Sequence, residues 1–282
     1  MRCPVCAGEL FEARVVAGLT IHRCTTCGLR LRPASQGQGT GYADVDREAY
    51  VESIGSVRRM QAEAIVGFVR EHVDGGEWLD VGCGFGYLLD AARAAGFRVR
   101  GLEPDPTAAQ AARSRVGNVL QGVLDESAPP ADVLSTLDVI EHLDDLHAFA
   151  ALVKTKARAL WVIKVPSADG LFFRIAHAFR LRGAIERLWQ SNYRDPHVVY
   201  FDETTLTRFL GNHGFDAVAV HYLDEVPTRT AVDRLTLAGG MPRWKARLAL
   251  PLFAAINLIE RLRSKSDALV VLARPSGTQR RA

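Results

Sequence analysis

The sequence predicts an α/β protein, with a parallel sheet covered by helices on both faces, a small cysteine-bound module in front and helical insertions within. Three observations carry this prediction. From residue 57 onward, short apolar runs alternate with segments whose apolar residues recur at helical spacing. Four of the five cysteines fall within the first 27 residues. A glycine-rich turn follows the first apolar run of the α/β part.

The bulk properties bound the reading. The chain has 282 residues, enough for one full α/β domain and a small attachment. With 48% hydrophobic and 24% charged residues it has the composition of a protein with a packed core. The net charge of +3 is unevenly spread. Residues 170–194 hold five Arg and one Glu, net +4, and residues 241–266 hold six Lys/Arg and one Glu, net +5, which leaves −6 on the rest. Two basic segments on an acidic body point to a local contact with something anionic. A nucleic-acid binder is more often basic over a whole face. The start, Met1-Arg2-Cys3-Pro4, has no apolar stretch, and no run is long and apolar enough to span a bilayer. The expected location is cytoplasmic, where thiols stay reduced and paired cysteines indicate metal rather than disulfide.

In chain order, Cys3-Pro-Val-Cys6 and Cys24-Thr-Thr-Cys27 are two C-x-x-C pairs with 17 residues between them. That is the spacing of a four-cysteine zinc site, and four thiolates suit a structural Zn2+ with no open position for chemistry. Phe11 to Arg23 alternates as a short hairpin. Residues 1–34 are therefore read as a zinc ribbon. Ser35 to Gly41 is linker by composition, and 35–56 is assigned to the linker. Val57 to Val73 is helical, ended by Gly75-Gly76. Strand Trp78 to Val81, helix Tyr87 to Ala95, strand Arg98 to Leu102, helix Thr107 to Arg115 and strand Asn118 to Gln121 follow. Val133 to Leu137 and Leu160 to Val165 are buried strands around helix Leu143 to Lys156. Glu203 to His213 is a helix closed by Gly214. Phe215 to Tyr222 and Ala268 to Ala273 are the last strands, and 276–282 is a disordered tail.

The turn after the first strand reads Asp80-Val81-Gly82-Cys83-Gly84-Phe85-Gly86. Glycines at the carboxyl end of a first strand let a ligand approach the backbone closely. The spacing is not that of dinucleotide or P-loop sites, and no Lys follows to hold phosphates. S-adenosylmethionine (SAM) has no phosphates, and its ammonium wants an acidic loop, which Asp80 supplies. The second strand ends Gly101-Leu102-Glu103-Pro104-Asp105. Glu103, about 20 residues after the loop, is placed to accept both ribose hydroxyls.

With these residues in view, 77–165 resembles the class I SAM-dependent methyltransferases. The resemblance rests on Leu-Asp-Val-Gly-Cys-Gly-Phe-Gly (79–86), Gly-Leu-Glu-Pro-Asp (101–105) and Leu-Asp-Val-Ile-Glu-His-Leu (137–143). It implies a Rossmann-like seven-stranded methyltransferase sheet over 57–275 whose last strand is antiparallel, with helical insertions at 168–195 and 228–265. It also implies that Asp80, Gly82, Cys83, Gly84 and Gly86 line the methionine end and that Glu103 and Pro104 meet the ribose. Leu124 and Asp125 would flank the adenine, and Leu137 with Asp138 the amino group.

Methyl transfer is a displacement at a sulfonium methyl, and an oxygen or carbon acceptor also needs a base. Glu141 and His142 follow the fourth strand and resemble the Glu-His of ubiquinone-type O-methyltransferases. Residues Asn192 to Phe201 resemble the zinc-ribbon sugar C-methyltransferases, in which a histidine ahead of Tyr-Phe acts as base. That resemblance makes His197 the candidate base, with Tyr200 beside it. The chain departs from that family in lacking its long C-terminal domain and in carrying Pro196.

The segments 171–189 and 244–263 both combine cations with large apolar residues. They read either as helices lying in a membrane interface or as an internal lid or homodimer surface. The function expected is methylation of a small-molecule or lipid-linked acceptor: a sugar, a lipid-linked glycan, or a quinone or phenolic precursor. A membrane reading would make the protein peripheral at the inner face. The competing readings are an RNA methyltransferase using the ribbon for recognition and a non-catalytic SAM-binding scaffold. Against RNA, the ribbon carries five Arg but few aromatics for stacking bases, and no Asn-Pro-Pro-Tyr type motif is present.

Overall fold

The computed structural model describes residues 2–8, 11–16, 18–32, 47–191, 195–228, 230–233, 235–236 and 242–277. The strands are β1 (Phe11–Val16), β2 (Leu19–Cys24), β3 (Arg30–Leu31), β4 (Glu77–Val81), β5 (Arg98–Glu103), β6 (Val119–Gln121), β7 (Ala131–Leu137), β8 (Ala157–Pro166), β9 (Val199–Tyr200), β10 (Phe215–Leu223) and β11 (Ala268–Pro275). The helices are α1 (Arg47–Arg70), α2 (Tyr87–Ala94), α3 (Pro106–Val116), α4 (Leu146–Lys156), α5 (Leu171–Ala178), α6 (Arg182–Leu188), α7 (Glu203–Asn212), α8 (Ala231–Asp233) and α9 (Arg243–Arg263).

Seven strands form one sheet in the order β6-β5-β4-β7-β8-β11-β10. The neighbours from β6 to β8 pair in parallel, and β11 runs antiparallel to both β8 and β10, as the resemblance implied. Both faces are buried, so the apolar runs are continuous rather than alternating. Along β11, Leu269 and Val271 enter the core on one face while Val270 and Leu272 enter the other. β8 does the same with Trp161 and Ile163 against Leu160 and Val162. The order reverses at β4, whose carboxyl end carries the glycine loop, which is where open α/β sheets take their ligands.

The cysteine module does not stand apart. Its strands form a second sheet, β1-β2-β3-β9, whose last member comes from the methyltransferase part. Arg30 pairs with Tyr200 and Leu31 with Val199. Cys3, Val5, Cys24, Leu29 and Leu31 are buried in the same cluster as Phe201, Leu206, Leu210 and Phe215. Asn212 Nδ2 donates to the Val5 carbonyl, fixing the first C-x-x-C turn onto the end of α7.

Two expectations need correction. Helix α1 begins at Arg47, inside the stretch assigned to the linker; residues 35–46 of that stretch lie outside the described residues. Gly55 does not break the helix, because a Cβ there would lie 2.8 Å from the Tyr87 hydroxyl: glycine permits close packing on α2. Helix α4 begins at Leu146 rather than Leu143, because Asp145 caps it by accepting from the Ala148 N–H at 2.9 Å. Ile140–His142 is a separate 3-10 turn. Both insertions contain helices as expected, α5 and α6 in the first and α8 and α9 in the second; residues 229, 234 and 237–241 of the second lie outside the described residues, as do 278–282 of the tail.

Candidate functional site

The glycine loop is held from behind by β5. The N–H groups of Gly82 and Cys83 donate to the Leu102 carbonyl at 2.8 and 3.0 Å. Gly82 has φ +71, and a Cβ on it would come within 2.7 Å of Val139 Cγ2, so the loop and the turn after β7 are in direct contact. Gly84 also has positive φ, and no atom lies within 4 Å of where its Cβ would project, so it borders open space. Gly86 caps α2 in the left-handed region.

Two buried acids flank this loop. Glu103 accepts from the Gly84 N–H at 2.7 Å and from the Asp105 N–H at 2.9 Å, leaving lone pairs for a ligand's hydroxyls. Asp80 is buried and accepts from Ser135 Oγ at 2.6 Å. Burial pushes the Asp80 carboxyl up to about 7, against the Ser135 hydrogen bond and with help from the charge on Glu103. A cationic ammonium would restore its charge, so these residues fit the methionine end and ribose of SAM. Cys83 is buried and its thiol is raised by desolvation, which leaves it a packing group. Pro104 and Asp125 are exposed and Leu124 is buried. Asp125 Oδ1 accepts from Ser127 N–H and Oγ, so it organises the turn after β6.

At the end of β7 stands an ionic network that sequence reasoning missed. Lys164, near the carboxyl end of β8, donates to both Asp138 oxygens at 2.8 and 3.0 Å and to Glu225. Arg58 of α1 also pairs with Asp138. Burial raises the Asp138 carboxyl, but Arg58 and Lys164 outweigh it and hold Asp138 well below the usual carboxylate range. Asp138 has φ +54, a strain sustained by these contacts. A single Lys within the apolar run Leu160 to Val165 was the available signal for this network.

The predicted acid–base residues come together beside it. Ligand-capable atoms of Glu141, His142 and His197 lie within 4.8 Å of one another. The His142 and His197 rings are 4.8 Å apart at their centroids, and His197 is 5.6 Å from Tyr200. Glu141 is fully buried, and neither carboxylate oxygen has a hydrogen-bond partner; His197 Nδ1 is equally buried and unpartnered. Burial, with repulsion from Asp138, raises the Glu141 carboxyl well above its ordinary value. Burial, with His142 adjoining, pushes His197 down to about 3, and burial also lowers His142, so both rings are neutral at pH 7. His142 Nδ1 lies 3.3 Å from the Pro196 carbonyl oxygen, which only accepts, so the proton sits on Nδ1 and Nε2 keeps its lone pair. Tyr200 donates its hydroxyl to the Leu188 carbonyl at 2.8 Å and is enclosed, which makes it a support for the His197 ring. Asn192 to Arg194, part of the quoted segment, lie outside the described residues.

The four sulfurs of Cys3, Cys6, Cys24 and Cys27 lie within 4.8 Å of one another, with Cys3–Cys27 at 3.5 Å and Cys6–Cys24 at 3.4 Å. A tetrahedral ion with bonds of about 2.3 Å needs sulfurs about 3.8 Å apart, so the cage fits Zn2+. Burial raises the Cys3 and Cys27 thiols; at Cys24 the burial is outweighed by hydrogen bonds, the largest from the Cys27 backbone, and the thiol falls to about 6.

The two basic segments part company. Phe173, Ile185 and Trp189 of the first are buried together with Ile21 and Tyr200, and Arg30 lies over the Phe173 ring at 5.3 Å. Arg32 donates to the Trp189 carbonyl. The first segment thus packs between the ribbon and the histidine cluster, whereas α9 leaves six of its large apolar residues exposed.

A family model described as a methyltransferase domain matches residues 57–220. No curated protein matches the chain. Among solved structures, the fold is similar to a SAM-dependent methyltransferase from Archaeoglobus fulgidus, at 18% identity and TM-score 0.54 over 81% of this chain and 99% of that one. It is similar to magnesium protoporphyrin IX methyltransferase (ChlM) from Synechocystis PCC 6803 with bound SAH, at 14% identity and TM-score 0.53 over 83% and 91%. It is also similar to a chain in the complex between the Haloferax volcanii Trm112 methyltransferase activator and a methyltransferase, at 16% identity and TM-score 0.57 over 82% and 95%. At these identities the likeness is one of fold.

Proposed function

Since the chain belongs to the methyltransferase-domain family, we propose that it is a SAM-dependent enzyme that methylates an oxygen or carbon atom of a small-molecule acceptor, with Glu141, His142 and His197 handling the acceptor's proton. The observation that carries this reading is the pair of enclosed, unpartnered groups, the Glu141 carboxylate and His197 Nδ1, next to the turn that touches the cofactor loop. Asp80 holds the cofactor's ammonium and Glu103 its ribose. The acceptor's hydroxyl or acidic C–H gives its proton to a neutral imidazole, His197 in our assignment. His142, its Nδ1 proton fixed by Pro196, orients the acceptor. Glu141, ionised once the cationic cofactor is near, stabilises the imidazolium. The acceptor attacks the sulfonium methyl in line, and S-adenosylhomocysteine (SAH) leaves. SAM supplies the methyl group; the cysteine cage, read as structural Zn2+, supplies none of the chemistry.

The supports for a small acceptor rather than RNA are Arg30 and Arg32, two of the ribbon's five arginines, which turn toward Phe173 and Trp189. SAH production should be assayed against nucleotide sugars, phenolics, polyprenyl-linked glycans and RNA. We expect turnover with a member of the first three. His197→Asn and Glu141→Gln should each cut kcat by about 10²–10⁴ with SAH affinity retained. Turnover only with RNA, together with steeply salt-dependent binding, would overturn the acceptor class. Full kcat in both variants would remove the acid–base assignment. Absence of turnover with every acceptor, despite tight SAH binding, would favour a scaffold.

A further inference from the structure

Helix α9 carries a wide apolar face that the described residues leave uncovered. Trp244, Leu248, Leu252, Leu258, Ile259 and Leu262 are exposed, Leu248 and Leu262 by 73% and 79%. Its buried residues are Ala246, Asn257 and Glu260. Asn257 Nδ2 donates to the Val226 carbonyl at 3.2 Å and to Thr228 Oγ1 at 3.1 Å. Glu260 accepts from the Leu171 N–H at 2.7 Å and from Ser266 Oγ at 2.9 Å. A surface helix ordinarily buries its apolar stripe and exposes its polar one. Here these polar contacts, with the half-buried Leu250, Phe253 and Ile256, hold the helix to the body, and a second apolar stripe faces outward.

The pattern around the axis is ordered. With 3.6 residues per turn, the six exposed apolar residues fall within an arc of about 120°. Lys245 and Arg263 border one edge of that arc, and Arg247, then Arg243 and Arg261, border the other. Ala246, Asn257 and Glu260 lie opposite. Every ionised group that α9 exposes is basic, and its one acid, Glu260, is buried. Among the described residues, Arg243 and Arg261 form long ion pairs, 3.6 Å to Asp233 and 3.5 Å to Asp224, and both stay largely exposed.

We propose that α9 is a membrane-interface helix that lies in the headgroup layer of an anionic phospholipid bilayer, its apolar arc among the upper acyl chains and its bordering cations on the lipid phosphates. Long basic side chains on both edges of an apolar arc can reach upward to the headgroups while the arc is immersed. A second copy of the chain is a poorer occupant, because self-pairing of this face sets basic edges against basic edges. The helix lies on the bilayer rather than across it: among the described residues, no helix is long and apolar enough to cross a membrane. Outside its two basic segments the chain carries a net −6, so an anionic surface orients the molecule with α9 toward it. This inference is independent of the acid–base assignment, and its failure leaves that assignment standing.

The test is flotation of the full chain with phosphatidylcholine vesicles, with and without phosphatidylglycerol, alongside light scattering and the thermal shift caused by SAH. The wild type should float with the phosphatidylglycerol vesicles and less so as salt rises. The triple variant Leu248→Ser, Leu252→Ser, Leu262→Ser should bind at least about tenfold more weakly while its SAH thermal shift is unchanged. The variant Arg243→Gln, Lys245→Gln, Arg247→Gln, Arg261→Gln should lose the preference for phosphatidylglycerol. Wild-type protein that binds SAH but floats with neither vesicle overturns the proposal. So does a wild-type dimer that the triple serine variant turns into a monomer, since the face would then belong to a second copy.

Discussion

The backbone N–H of Val198 donates to the carbonyl oxygen of Glu141 at 2.7 Å. This bond ties the residue after His197 to the turn that carries Glu141 and His142. On its other side, Val198 accepts from the Arg32 N–H at 2.9 Å. The cysteine cage, β3, β9 and the histidine cluster are therefore joined through one continuous run of backbone pairing.

With Zn2+ in the cysteine cage, as we propose, that run predicts a remote effect of metal loss. Cys24→Ser, or treatment with a chelator, should release β3 and let β9 shift. A displacement of about 1 Å at His197 can cost roughly a hundredfold in kcat. SAH affinity, which we assign to the loop at 80–86 and to Glu103, should change little. Steady-state kinetics and SAH calorimetry on the same samples separate the two effects, and an unchanged kcat after metal loss would count against the coupling.

Asp80 predicts a pH dependence of cofactor binding. Its folded-state carboxyl sits at about 7, above the reference value of 3.8, because burial disfavours the charge. The neutral form is thus favoured by folding, and the ligand-free protein loses stability as pH rises from about 4 through 7. The ammonium of SAH requires the ionised form. Affinity should fall about tenfold per pH unit below about 7 and level off above it. Asp80→Asn should bind weakly at every pH, and calorimetry that finds wild-type affinity flat between pH 5 and pH 8, roughly, would refute the assignment.

Gly82→Ala should abolish SAH binding. Its φ of +71 disfavours any side chain, and the added Cβ would meet Val139 Cγ2 at 2.7 Å. The strain is about 1–2 kcal/mol from the backbone and about 1–3 kcal/mol from overpacking. Since Val139 lies two residues before Glu141, the turn should move too. Retained SAH binding with a normal melting temperature would contradict this geometry.

Lys164→Met should unfold more easily by about 3–5 kcal/mol, because it leaves Asp138 and Glu225 without their buried cation. Asp138 would keep Arg58 but lose Lys164, so its carboxyl would rise from its depressed position and part of the stabilisation of its charged form would be lost. The deficit in the urea midpoint should therefore grow as pH rises. A deficit independent of pH would mean that the loss is one of packing alone.

The sequence by itself determined the parts that depend on neighbours in the chain. Strand and helix periods placed the alternating strands and helices of a parallel sheet, and the family resemblance implied its seven strands with an antiparallel last one. The turn Asp80–Gly86 and the acid Glu103 marked the cofactor end, because a close backbone approach needs glycine and a buried ammonium needs an acid. The Cys-x-x-Cys pairs announced their cage by spacing. The start of α1 was missed, since the assignment of 35–56 to a linker rested on the composition of Ser35 to Gly41, and Gly55 sits inside the helix where it lets Tyr87 approach closely. What only the tertiary structure decided lies in pairings between distant segments. Two residues, Val199 and Tyr200, are too short a strand to read, and they become one only because Arg30 and Leu31 lie alongside. Lys164 became intelligible once Asp138, Arg58 and Glu225 surrounded it. The basic segments 171–189 and 244–263 share a composition, but burial is set by what packs against each. Trp189 found Tyr200 and Ile21, while Leu248 and Leu262 found no neighbour among the described residues able to cover them.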